Sequence, residues 1–261
     1  MKFGRRAPAA DHPRLKHPCH RAMAKYALGS LVVPPSADYI APAASVLGNI
    51  YGNDLLGDCV IAGGYHLVGT ATGNAGDLFT ATQDQIIADY SAIGGYVPGD
   101  DSTDQGCDEL TALSYWQEHG FANGTHLVGS LLIDASNQTE VQMAIWLFEG
   151  ASMCASLPDA WISPMPSGND FVWDVAGDPN PDHGHCVAAV GYHPGGVTID
   201  SWALFGTVTW AALAKYFTMT ANGSLFVWLT PDILAKGQAK APTGFDWATL
   251  LQDFSAMGGA T

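Results

Sequence analysis

The chain has 261 residues, 48% of them hydrophobic and 13% charged, enough apolar material for one large globular domain with extensions. It contains no apolar run of about 18 residues and no apolar stretch near its start, so no membrane span and no signal peptide are expected. The formal net charge of -15 is unevenly spread: seven of the ten basic residues fall within the first 25 positions, and the remainder sets three lysines against twenty-four acids, a body that repels nucleic acid and anionic membranes.

Residues 1–33 read as a basic extended arm, with Pro8, Pro13 and Pro18 and a short helical turn near Arg21 to Leu28. Residues 1–25 suit an acidic protein partner, an assembly neighbour or the chain's own body, and a flexible solubilising tail is the plainer alternative. The arm carries His12, His17, Cys19 and His20, whose spacing fits no zinc pattern, so they read as solvated side chains and no metal is predicted. Five cysteines, none in a C-x-x-C pair, indicate neither a disulfide framework nor a zinc knuckle and favour a reducing compartment. Cys107 and Cys154 read as buried small hydrophobes.

Val33-Pro34-Pro35-Ser36-Ala37-Asp38-Tyr39 is a rigid extended lead-in. The polar loop Asn53 to Asp58 then delivers Cys59 to an apolar helix built on Val60, Ile61, Ala62, Tyr65 and Val68, with Asp58 as its cap. A thiol at a helix N-terminus feels the positive end of the macrodipole, so a lowered pKa and a nucleophilic role are expected for Cys59. Gly63 and Gly64 in this helix mark close approach by another part of the chain.

Thr82 to Ile93 is predicted helical through Ile86, Ile87, Tyr90 and Ile93, and Asp100 and Asp101 belong to a solvated acidic loop rather than a calcium site. Another helix runs to about His119. A capping box at Asn137 to Glu140 opens a helix that Gly150 stops, and Ala151 to Leu157 is a buried strand. Phe171 to Asp182 is a loop ending at His183-Gly184-His185, followed by a hairpin of Cys186 to Tyr192 and Val197 to Trp202. Ala211 to Phe217 is predicted helical, Ser224 to Leu229 a closing strand, Pro231 to Pro242 a linker, and Phe245 to Met257 an amphipathic helix using Phe245, Leu250, Leu251 and Phe254.

Cys59, His185 and Asp200 thus stand in nucleophile, base, orienter order. With His185-Cys186-Val187-Ala188-Ala189-Val190-Gly191-Tyr192, a short turn and Asp200-Ser201-Trp202, the chain resembles the papain-like cysteine peptidase superfamily, as a divergent member similar to papain-like proteins of bacteria and their phages. The resemblance covers residues 34–230, leaving 1–33 in the place of a propeptide and 231–261 as linker and terminal helix. It implies an α+β papain-like fold, with an N-terminal helical lobe carrying the nucleophile helix and a C-terminal antiparallel β lobe.

It further implies a cysteine peptidase or amide hydrolase acting on a peptide or protein without a cofactor. In that reading Cys59 is the nucleophile, His185 the base, Asp200 its orienter, Asn53 an oxyanion donor and Trp202 a shield over the His185–Asp200 bond. His183 competes with His185 as base, and Asn53 and Asp54 alternatively make only a turn. A cytoplasmic or virion-associated location is expected. The alternative function is a non-enzymatic structural or assembly protein, such as a virion component, docked through its arm and terminal helix.

Overall fold

The computed structural model describes residues 1–7, 23–26, 32–241 and 244–255. The chain begins with strand β1 (Arg5–Arg6), and a 3-10 turn at Met23–Lys25 stands where a helical turn was expected. His12, His17, Cys19 and His20 lie outside the described residues. Strand β2 (Ala37–Asp38) and the short helix α1 (Ala44–Leu47) lead to the long helix α2 (Cys59–Asn74). Helix α3 (Gln83–Gly94) starts in a Thr82–Gln85 capping box, and β3 (Cys107–Asp108) runs directly into α4 (Glu109–Glu118), where the Asp108 carboxylate accepts from the Thr111 N–H.

The second half contains β4 (Gly129–Leu132), α5 (Gln138–Phe148), β5 (Ala151–Pro158), α6 (Asp159–Ile162), β6 (Phe171–Trp173), β7 (Pro179–His193), β8 (Gly196–Ser201) and β9 (Leu204–Thr209). Helix α7 (Trp210–Tyr216), β10 (Ser224–Leu229), α8 (Pro231–Lys240) and α9 (Trp247–Ser255) complete it. The main sheet runs β4-β10-β5-β7-β8-β9-β6, with β2 added against β7; all its pairs are antiparallel except β6 with β9. No helix among the described residues is long and apolar enough to cross a membrane.

Strand alternation gives the sheet two faces, and each has its own core. Met153, Ala155, Val187, Ala189 and Ile199 point into one core with α5 and α7, while Cys154, Cys186, Phe226 and Trp228 point into a second with α2, α3 and α4. Helix α2 is buried on nearly all sides, and Gly64 makes this possible: a Cβ there would stand 2.6 Å from the Trp116 ring and 2.7 Å from that of Trp228. Gly63, by contrast, faces open space.

Three expectations need correction. Cys154 and Cys186 form a disulfide, because β5 and β7 pair these two residues directly across the ladder with their Cα atoms 4.0 Å apart. Residues 171–182 are not all loop: Phe171–Trp173 pairs with β9, and β7 begins at Pro179 opposite Pro158. The segment read as a linker is α8, opened by the Thr230 hydroxyl and Pro231 and clamped by Lys236 and Lys240 on the Glu149 carboxylate, 2.7 and 2.6 Å away. Glu149 itself, at φ 63°, takes the left-handed position that ends α5 ahead of Gly150. In α9, Leu250 and Phe254 pack into the main core, so this helix is bound to its own body.

Substitution at the two helix glycines should separate packing from propensity. Gly64→Ala is expected to lose about 1–3 kcal/mol by overpacking against the tryptophans, and Gly63→Ala to gain up to about 1 kcal/mol. Urea unfolding of the two variants checks this.

Candidate active site

The cleft where α2 meets β7 and β8 contains a small cavity lined by Asn53, Cys59, Gly63, His66, His185, Cys186, Asp200, Ser201 and Trp202. The sequence-predicted Cys59, His185, Asp200, Asn53 and Trp202 therefore line one cavity, but no hydrogen bond joins Cys59 to His185. Their contacts, however, differ from those expected.

The Asp200 carboxylate lies 2.6 Å from Nδ1 of His66, and the other ring nitrogen of His66 stands 2.8 Å from the Asn49 carbonyl. Nε2 of His185 instead meets the Ser201 hydroxyl at 3.0 Å, while its Nδ1 is buried without a hydrogen-bond partner. Register explains the exchange. In β7, His185 shares its face with Val187 and Ala189; β8 places Asp200 opposite Ala188, on the other face, and Ser201 on the His185 face. The one extra residue in β7, Val190, makes the bulge that sets this parity.

His66 received no role from the sequence although it stands seven residues after Cys59, on the same face of α2 two turns along. That spacing was the available signal. Trp202 is held by a two-residue turn in which it and Ala203 both have positive φ, between the paired Ser201 and Leu204. Its indole stacks on His185 with centroids 4.1 Å apart and planes 16° apart, so it covers the imidazole and the Ser201 contact, not a His185–Asp200 bond. His183 is a rim residue, with Nδ1 3.2 Å from the Asp159 carboxylate.

Asn53 is buried, and its amide donates to the Leu56 carbonyl at 3.1 Å. Backbone bonds from Leu55 and Leu56 to the Gly52 carbonyl complete a turn, so the donor predicted for an oxyanion is engaged inside its own loop. Among the described residues no three His, Cys, Asp or Glu side chains are grouped to hold a metal ion.

The first residues of the chain close this site. Gly4 donates its N–H to the Gly184 carbonyl and accepts from the Cys107 N–H, and Lys2 donates its N–H to the Asn53 carbonyl. The Lys2 ammonium also pairs with Asp104. Strand β1 adds in parallel to β3. The Phe3 ring packs against His183, His185 and Trp202 at 4.8, 6.0 and 5.8 Å. A Cβ on Gly4 would fall 1.8 Å from the Gly57 carbonyl oxygen, so only glycine fits there.

Burial governs protonation in this closed state. The Cys59 thiol is 1% exposed and pushed up to about 12 by desolvation, against small opposing effects from the backbone at Cys186 and Gly4 and from Arg5. This reverses the lowered pKa expected from the helix N-terminus, because the macrodipole is worth at most about 2 kcal/mol. Desolvation likewise drives His185 down to about 3. Asp58 stands at the N-cap without a capping hydrogen bond, and burial raises its carboxyl to about 8.

No family model and no curated protein matches the sequence. Solved structures do resemble the fold. Xylellain, a cysteine protease from Xylella fastidiosa, aligns with a TM-score of 0.62 at 12% identity, over 87% of this chain and 96% of its own. Digestive procathepsin L2 from the Tenebrio molitor larval midgut gives 0.59 at 14% identity over 87% and 78%. Procathepsin B S9 from Trypanosoma congolense gives 0.55 at 9% over 87% and 82%. The chain has an α+β papain-like fold.

Asp58 generates a pH prediction. Its folded pKa is raised above the ordinary 3.8, so between about pH 4 and 8 the unfolded chain is ionised while the folded one keeps the proton. Stability from this group is therefore full at low pH and falls as pH rises through that window. Asp58→Asn is expected to raise the melting temperature relative to the parent by at least about 2–4 °C more at pH 8 than at pH 4.5 in thermal unfolding.

Proposed function

We propose that this papain-like chain is a cysteine peptidase or related amide hydrolase, with Cys59 as nucleophile and His185 as base, held latent by its own N-terminal residues. The observation carrying the reading is that Cys59 and His185, remote in sequence, line one cavity where a helix N-terminus meets the sheet. In the reaction His185 accepts the thiol proton, the sulfur attacks the acyl carbon of a peptide or protein, and the imidazolium returns the proton to the leaving amine. Water then hydrolyses the thioester. Asp200 and Asn53, the predicted orienter and oxyanion donor, belong to the same cavity but hold other partners in the closed state.

Latency follows from what covers the sulfur. With Phe3 on His185 and the Gly4 backbone beside Cys59, water is excluded and neither group ionises near neutral pH. Releasing the arm re-solvates both and returns the thiol toward its ordinary range of about 8.5. The neighbours whose names describe proteases support the hydrolase reading; two of them are named as proforms.

The second reading, a non-enzymatic assembly protein such as a virion component, is favoured by one fact: Asp200 is committed to His66 and not to His185. Against it, Lys2 to Arg6 and, in α9, Leu250 and Phe254 all pack on their own chain.

Alkylation by iodoacetamide, mapped by mass spectrometry, tests the proposal. Gly4→Val cannot seat the arm and should raise the Cys59 rate at pH 8 by at least about tenfold. Adding His185→Ala to that variant should remove most of the gain. Rates that respond to neither change leave the scaffold reading in possession.

A further inference from the structure

We infer that Ser201, rather than Asp200, is the residue that positions the His185 imidazole, and that Asp200 instead holds His66 as a buried imidazolium on the Cys59 face of α2. The inference rests on the reading of Cys59 and His185 as nucleophile and base, and it assigns the polar groups behind them.

The geometry carries each half. Both ring nitrogens of His66 lie against oxygen acceptors, Nε2 in a 2.8 Å contact with the Asn49 carbonyl and Nδ1 in a 2.6 Å ion-pair contact with an Asp200 carboxylate that is buried and has no aligned hydrogen-bond partner of its own among the described residues. A neutral imidazole has one N–H and would set a lone pair against one of these oxygens. A carboxylic acid donating to Nδ1 would also satisfy the contact, but imidazole is the stronger base by about two to three pKa units, so the proton rests on the ring. The pair is buried and ties the Asn49 turn and α2 to β8. The Tyr51 ring lies 5.1 Å from His66, and Asp58 adds a more distant carboxyl.

His185 meets neither of these carboxylates. Its hydrogen-bond contact is the Ser201 hydroxyl, and the Trp202 indole fixes the plane of its ring. With Nε2–H donating to Ser201 Oγ, Nδ1 is left as a bare lone pair, the tautomer a thiol proton requires. A hydroxyl orients the ring without stabilising a cation as a carboxylate does. His185 therefore acts as a neutral base, and no preformed thiolate–imidazolium pair builds up. The positive charge at the cavity resides on His66, about 10 Å along α2 from Cys59.

The test uses the full chain carrying Gly4→Val. Nitrogen-15 NMR of its histidines is expected to give His66 with both nitrogens protonated from pH 5.5 to 8; an Nδ1 shift of the neutral type overturns the inference. This readout is independent of catalysis. In Cys59 alkylation against pH, Ser201→Ala should lower the rate about tenfold and displace the limb that His185→Ala removes, while Ser201→Thr restores both to within about threefold. If Asp200→Asn displaces that limb and Ser201→Ala does not, Asp200 is the orienter and the inference is wrong. Should Asp200→Asn fail to fold, the serine pair and the His66 spectrum decide alone. If His185→Ala has no limb to remove, the hydrolase reading fails, and the His66 assignment is still judged by its spectrum.

Discussion

The extra residue in β7 is the constraint on which the site depends. From the turn, the ladder pairs His193 with Gly196, Tyr192 with Val197 and Gly191 with Thr198; beyond Val190 it resumes at Ala189 with Ile199 and Ala188 with Asp200. Had the first register continued, Asp200 would lie opposite Ala189 and share the His185 face. One inserted residue turns it to the α2 face, where it meets His66, and turns Ser201 to His185. The lower half of β7 is in turn pinned by its pairing with β5 from Ala151 to Ser156 and by the disulfide within that run. The bulge thus absorbs the mismatch between a hairpin fixed at one end and a cross-linked ladder fixed at the other.

Solvent exclusion sets the chemistry available at that register. A helix N-terminus favours a thiolate by about 1 kcal/mol when exposed and up to about 2 kcal/mol when partly buried, whereas full burial shifts an acid by up to about 3–5 pKa units, or about 4–7 kcal/mol. Burial prevails for Cys59, and the same effect acts with opposite sign on His185, because in each case the charged form is disfavoured. Both neutral forms are consequently stable together, and the site rests as thiol and imidazole. Asp58 obeys the same rule and is held protonated at the cap position, where an ionised carboxylate would otherwise complement the dipole.

Much of this fold was legible because local chemistry and tertiary packing agree. Thr82, Asp108, Asn137 and Thr209 cap helices in the positions their side chains suit, and the β7–β8 hairpin follows its apolar run. The helix that begins at Cys59 and the apolar strand from Cys186 were found for the same reason, whereas His185, expected at the end of a loop, lies inside β7. What escaped depends on contacts that no local pattern encodes. Helix α8 has mean polarity and a glycine; it is secured by Lys236 and Lys240 on Glu149 and by the close approach of Gly237 to Trp247 and Phe148. Strand β6 is three residues long and exists through a parallel partner more than thirty residues away. The Cys154–Cys186 bridge has no spacing signature, since its two cysteines meet only once β5 and β7 are in register. The roles of Asp200 and Ser201 hung on a bulge at Val190, a residue indistinguishable by type from its neighbours in an apolar strand.

The way the arm is seated bears on what the cleft recognises. Its floor and wall lack side chains at two points, where a Cβ on Gly106 would meet the Gly4 carbonyl oxygen at 1.8 Å and one on Gly184 the Arg5 carbonyl oxygen at 2.1 Å; the arm is itself bare at Gly4, whose Cβ would stand 1.8 Å from the Gly57 carbonyl oxygen. Hydrogen bonds from Gly4 to Gly184 and from Cys107 to Gly4 then fix the backbone between the two lobes. A surface stripped of Cβ atoms and offering main-chain donors and acceptors grips an extended chain by its backbone, whatever side chains that chain carries. The arm satisfies these groups in the closed state, and a peptide presented to the proposed nucleophile must replace it at the same glycines. In the proposed function, latency would then take the form of competition between two extended segments for one set of backbone hydrogen bonds, with the Phe3–His185 contact favouring the resident segment.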